Sequence, residues 1–203
     1  WEPQNGCRMG ILPRHATGDD IQWFDIETGY IFHTFNAWEE GDEIILEGCR
    51  AKKITISLKL EDGDYADVEK ARPHRYRFNL KRGSVTESPI TKTPMEFPRI
   101  NENYLGRKNR YAYGSRFCAG TERPVFDAVI KLDREQGSME TLELGDQCYT
   151  GEFVFAPKPE GQAEDDGYYI GFVHRENDKK SECWILDAKS FSSGPVARII
   201  IPA

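Results

Sequence analysis

The chain has 203 residues, with 27 Lys and Arg against 34 Asp and Glu, a formal net charge of −7. With 38% hydrophobic and 12% aromatic residues, it is too apolar for a disordered chain and long enough to bury a real core. The acidic balance, with a pI near 5.2, argues against nucleic acid as a partner, because phosphate binding needs a clustered positive face.

Along the chain, the first apolar stretch is interrupted by Arg8, Arg14 and His15, which does not fit a targeting segment. Strands are predicted over 21–26, 30–38, 43–50, 53–60, 75–80, 110–117, 125–132, 139–144, 152–156, 168–175, 182–187 and 196–201. Each is rich in Val, Ile, Tyr, Phe, Trp and Thr and is bounded by Gly, Pro, Asn or Asp. In Arg75-Tyr76-Arg77-Phe78-Asn79-Leu80 the apolar side chains all fall on one face. Glu61-Asp62-Gly63-Asp64 reads as a turn, Arg134-Glu135-Gln136-Gly137 as the tip of one hairpin and Asn177-Asp178-Lys179-Lys180 as the tip of another. Only 65–71 suits a helical turn, and Pro73 would end it. Pro89, Pro94 and Pro98 bar 88–104 from being a central strand. The stretch 157–167 carries Pro157, Pro159, Gly161 and the run Glu164-Asp165-Asp166. It predicts a solvated loop in preference to a cation site, because ligand spacing of the EF-hand type is absent. The abrupt ends predict a piece of a longer polypeptide, and the longest apolar runs, Ile44-Ile45-Leu46 and Ile199-Ile200-Ile201, are far shorter than the ~20 residues that span a bilayer.

Many short strands joined by hairpins make an all-β protein: sandwich, barrel or propeller. Antiparallel meanders of about four strands recurring every ~40–45 residues suit propeller blades, although no strict internal repeat is present.

The five cysteines, Cys7, Cys49, Cys118, Cys148 and Cys183, form no C-x-x-C pair and read as reduced structural thiols of an intracellular protein. His15, His33, His74 and His174 show no metal-ligand spacing, and no nucleophile elbow, phosphate loop or dinucleotide fingerprint exists. His15, His74 and His174 sit in polar surroundings and are expected to be exposed. His33 differs, lying in the aromatic run Tyr30-Ile31-Phe32-His33-Thr34-Phe35-Asn36-Ala37-Trp38. Ile31, His33 and Phe35 are expected on one face, with Phe32 and Thr34 on the other. An imidazole among aromatics needs partners for its nitrogens, so His33 is either a hydrogen-bonded core histidine or a ligand or acid–base group. Glu96, between Met95 and Phe97, and Glu152, before Phe153, are similarly placed. Each is either an ordinary edge-strand glutamate or a carboxylate that orients a metal-bound imidazole through its other N–H.

At these residues the chain resembles the carotenoid cleavage oxygenases, a family that includes carotenoid dioxygenases, lignostilbene dioxygenases and the retinoid isomerohydrolase. The resemblance rests on Gly10-Ile11-Leu12-Pro13-Arg14, Trp23-Phe24-Asp25 and Phe32-His33-Thr34-Phe35-Asn36-Ala37-Trp38-Glu39-Glu40-Gly41-Asp42-Glu43. It continues through Glu96-Phe97-Pro98-Arg99-Ile100-Asn101, Gly151-Glu152-Phe153-Val154-Phe155-Ala156-Pro157, Glu164-Asp165-Asp166-Gly167 and Leu186-Asp187-Ala188. The resemblance implies a seven-bladed β-propeller, of which residues 1–203 would be the C-terminal two fifths. It further implies Fe2+ held at the propeller axis by four histidines. His33 matches the third, Glu96 and Glu152 match two of three imidazole-orienting glutamates, and Phe32 and Phe97 are either walls of a substrate tunnel or plain core packing. The other three ligands are expected outside this stretch, two before Trp1 and one after Ala203. The implied activity is O2-dependent cleavage of a conjugated C=C bond of a carotenoid or apocarotenoid into two carbonyl products. Implied partners are O2, the polyene and the missing segments of the same propeller. A cytoplasmic location is expected, with a plastid, or peripheral membrane contact because polyenes dissolve in bilayers, left open. The isolated chain, with one ligand, is expected to hold no stoichiometric iron and to be inactive. Alternatives are a catalytically silent propeller used for binding, or a family member that cleaves stilbenes or acts on retinyl esters.

Overall fold

The computed structural model describes residues 1–54, 69–119, 121 and 123–202. These form fourteen strands: β1 Cys7–Ile11, β2 Gln22–Ile26, β3 Tyr30–Glu40, β4 Glu43–Ala51, β5 Arg72–Asn79, β6 Ser84–Pro89, β7 Met95–Arg99, β8 Tyr111–Phe117, β9 Phe126–Asp133, β10 Ser138–Glu143, β11 Cys148–Pro157, β12 Gly167–Arg175, β13 Lys180–Asp187 and β14 Pro195–Ile200. All described pairings are antiparallel, and beyond the β1–β2 hairpin they fall into three four-stranded meanders, β3 to β6, β7 to β10 and β11 to β14. The last two meanders join through one pairing, Thr150 opposite Phe126. The first strands of the meanders, β3, β7 and β11, are neighbours, with β7 touching both others. This is how adjacent blades of a propeller meet at its hub, and the sheets do not close on themselves.

The core occupies the seams between meanders. Phe35, Cys49, Met95, Ala112, Ile130 and Leu132 fill the first seam. Tyr113, Val129, Phe153, Tyr169, Trp184 and Leu186 fill the second. Alternate residues of β8 and β9 thus serve opposite seams: Ala112 and Ile130 face one way, Tyr113 and Val129 the other. The last meander's other face is apolar and open, with Val154, Phe172 and Ile199 exposed.

Several expectations need correction. Both predicted hairpins form, with Gly137 and Lys179 taking the left-handed turn conformation. The strands β1 and β6 were not predicted. β6 is an outer edge strand with a mostly polar sequence, so it lacks an apolar stripe. As expected, 88–104 holds no central strand: its strand β7 pairs with β8 alone and tolerates Pro98 at a bulge. The acidic run is not a solvated loop. Asp165 is buried against Lys131 Nζ at 2.8 Å, Glu164 accepts the Arg110 and Tyr111 backbone N–H groups, and Asp166 pairs with Lys189. His74 is not in an exposed loop but in β5, with its imidazole 3.4 Å from Glu87. His174 also lies in a strand, β12, although its side chain stays largely exposed. Of the predicted strand 53–60, Lys53 and Ile54 are irregular and the rest lies outside the described residues, as do the predicted turn at 61–64 and most of 65–71. All five cysteines are free thiols.

Candidate metal centre

The innermost strand β3 pairs only with β4, and its register slips between Ile31, Thr34 and Asn36. The bulge overrides the simple alternation, so Phe32, His33 and Thr34 are all exposed while Phe35 and Asn36 are buried. Within residues 1–203 the His33 side chain is 43% exposed. It lies against Phe97, with ring centroids 5.4 Å apart, and stacks on Phe32 at 6.3 Å.

His33 Nδ1 is 2.8 Å from Glu96 Oε2. The same oxygen accepts the backbone N–H of Phe97 at 2.8 Å, while Oε1 is buried with no hydrogen-bond partner. Burial pushes the Glu96 carboxyl above its ordinary range, opposed by the Phe97 N–H and by His33. With Glu96 ionised and His33 neutral, Glu96 can only accept, which assigns the proton to Nδ1 and the lone pair to Nε2. Among the described residues Nε2 has no hydrogen-bond partner. Behind the pair lies buried Cys49, its thiol held well above the usual range by burial and by the Glu96 charge.

Glu96 reaches His33 because β7 is bent. The register slips between Glu96 and Arg99, and Phe97 adopts φ +53° immediately before Pro98. A bulky residue in the left-handed region costs on the order of 1–3 kcal/mol and persists only where its surroundings enforce it. Here the Phe97 ring is held between His33 and Phe126, 5.1 Å away. Gly114 of β8 supports this bend from beneath: a Cβ there would collide with Met95 and sit 3.0 Å from the Glu96 carbonyl oxygen.

Glu152 lies at a second bulge, between Thr150 and Phe153 of β11. Its side chain is 42% exposed and forms an ion pair with Arg99, three residues beyond Glu96. Of the sequence-derived candidates, His33, Glu96, Phe32 and Phe97 are thus drawn into direct contact. Glu152 comes only to the adjacent inner strand, where a guanidinium, not an imidazole, meets it. Sequence reasoning gave Arg99 no role, although a cation within an apolar, Pro-bearing inner strand is a signal of the same kind as Glu96. Among the described residues no group of three or more His, Cys, Asp or Glu side chains is placed to hold a metal ion. What fits a metal is the single imidazole, its tautomer set by a carboxylate and its second nitrogen free to ligate.

A family description of retinal pigment epithelial membrane protein, RPE65, matches residues 1–203. The chain belongs to this family, which is that of the carotenoid cleavage oxygenases. It is 37% identical to the carotenoid 9,10(9',10')-cleavage dioxygenase of Crocus sativus over 97% of this chain and 38% of that protein. It is 30% identical to a carotenoid cleavage oxygenase of Mycobacterium tuberculosis over 100% of this chain and 41% of that protein. Among solved structures, a cobalt-substituted Synechocystis apocarotenoid oxygenase superposes with a TM-score of 0.85 at 23% identity, over 96% of this chain and 41% of that chain. The three meanders are therefore part of a seven-bladed β-propeller. The chain spans about two fifths of the length of the relatives it matches.

Proposed function

We propose that this chain is part of a non-haem Fe(II) dioxygenase that cleaves a conjugated C=C bond of a carotenoid or apocarotenoid with O2. One oxygen atom goes to each alkene carbon, giving two carbonyl products. The observation that carries the reading is the 2.8 Å contact between His33 Nδ1 and Glu96 at the meeting of the inner strands, in a chain 30–37% identical to relatives named for this activity.

His33 Nε2 would ligate the ion, while Glu96 fixes the ring's tautomer and direction and strengthens it as a donor. When bound by neutral imidazoles, Fe2+ supplies O2 activation beside the alkene. Phe32, half exposed beside His33, and Phe97 present apolar walls against which a rigid polyene packs without competing for the metal. Glu152 would orient a second imidazole supplied from outside residues 1–203. The open apolar face of the last meander would pack against further segments of the same propeller. A single imidazole cannot hold iron against water, so residues 1–203 alone would neither retain stoichiometric iron nor turn over.

The test is product analysis of the full-length protein with a panel of carotenoids and apocarotenoids, with iron content measured in parallel. Paired carbonyl products that disappear, together with bound iron, in His33→Ala support the reading. Iron bound equally by that variant, or iron-free full-length protein that binds polyenes without cleaving them, would reduce the chain to a binding module.

A further inference from the structure

Glu152 has too much freedom to point anywhere by itself. It is half exposed at a strand bulge, where a long carboxylate side chain samples several rotamers. Two contacts remove that freedom. Ser115 Oγ, fully buried, donates to the Gly151 carbonyl at 2.6 Å, fixing the backbone one residue before Glu152. Arg99 then holds the Glu152 carboxylate itself.

Both contacts originate on the strands that place Glu96. Ser115 is the cross-strand partner of Glu96, and Arg99 pairs across the sheet with Tyr113. The β7 bulge therefore delivers a carboxylate toward β3 at Glu96 and a guanidinium toward β11 at Arg99. One five-residue strand frames both glutamates.

We infer that Arg99 is a positioning residue: through its ion pair it sets the direction of Glu152, and so the geometry of the metal site. The inference rests on the reading of His33, Glu96 and Glu152 given above. The contact through Arg99 Nη2 restricts where the Glu152 carboxylate can point. A purely stabilising role is the other account of the pair. The melting temperature of Arg99→Gln separates the two roles, since a stabilising pair lowers it and a positioning pair leaves it in place.

The test uses the full-length protein with cobalt(II) as probe, reading the dissociation constant and the visible d–d spectrum. Arg99→Gln is expected to weaken cobalt binding by about tenfold or more, the range seen when partners of metal ligands are lost, and to shift the d–d bands. Its melting temperature should stay close to that of the parent. Arg99→Lys should recover part of the affinity. In an Glu152→Gln background, Arg99→Gln should add nothing further. Cobalt affinity and spectrum unchanged in Arg99→Gln, or an effect that persists undiminished in the Glu152→Gln background, overturns the inference. If Arg99→Gln does not fold, Arg99→Lys and its combination with Glu152→Gln decide by the same criterion. His33→Ala is measured alongside. Lost cobalt in that variant with a silent Arg99→Gln sinks the Arg99 role alone, whereas unchanged cobalt in His33→Ala removes the metal site and the Arg99 role together.

Discussion

A histidine becomes a metal ligand through what holds its other nitrogen. His33 has Glu96 at that position, and Glu96 in turn is held by the Phe97 N–H. Glu96→Ala should therefore leave the ring free to rotate and weaken metal binding by roughly 10–100-fold. Titration of the full-length protein with cobalt(II) measures this, and Glu96→Gln, which can still accept from Nδ1, should lose less. The identity of both residues was visible in the sequence because each is polar within an apolar run. Their exposure was not. Alternation puts His33 on the face of Ile31 and Phe35, but the bulge in β3 breaks that alternation, and the bulge depends on pairing with β4. The Arg99–Glu152 ion pair was equally hidden, since nothing local to either residue announces a partner on another strand.

Among elements, β7 does the most to shape the candidate site and carried the weakest strand signal. Its proline marks it as non-central, and it is an inner edge strand whose bulge around Phe97 and Pro98 aims Glu96. Gly114 on β8 leaves room for the Met95 Cε methyl and, 3.0 Å from where a Cβ would stand, for the Glu96 carbonyl oxygen. Gly114→Ala should push β7 away, costing about 1–3 kcal/mol as overpacked sites do, and should also lower metal affinity by moving Glu96. Gly18→Ala is the control, since no atom lies within 4 Å of a Cβ there. Denaturant unfolding with parallel cobalt titration separates the outcomes: loss of stability without loss of affinity would show that β7 does not steer Glu96. β8 and β9 explain why blade boundaries were hard to read. They are buried on both faces, so their burial does not alternate as it does in a one-sided strand.

At the level of the whole molecule, the seam between the first two meanders holds charge as well as apolar side chains. Glu47, fully buried on β4, faces Arg75 at 2.6 Å and Arg134, at the β9–β10 turn, also at 2.6 Å. Glu47→Ala would leave two guanidiniums around an empty position, one of them buried, and should destabilise the protein by about 3–5 kcal/mol in urea unfolding. Beside that turn, an ion pair within the second meander is sensitive to acid. Arg110 bonds to Asp133 through Nε and Nη2, and this, helped by the Gln136 and Glu135 backbone N–H groups, lowers the Asp133 carboxyl to about 2. Because the folded value lies below the unfolded one near 4, the bonded carboxylate contributes its full stability above pH about 4 and loses it as pH falls toward about 2. Asp133→Asn removes the titrating group. The variant should be less stable than the parent at neutral pH, and the gap should close on acidification. Urea midpoints taken between pH about 6 and about 2 test this, and a gap that stays constant would mean that Asp133 titrates alike in the folded and unfolded chains.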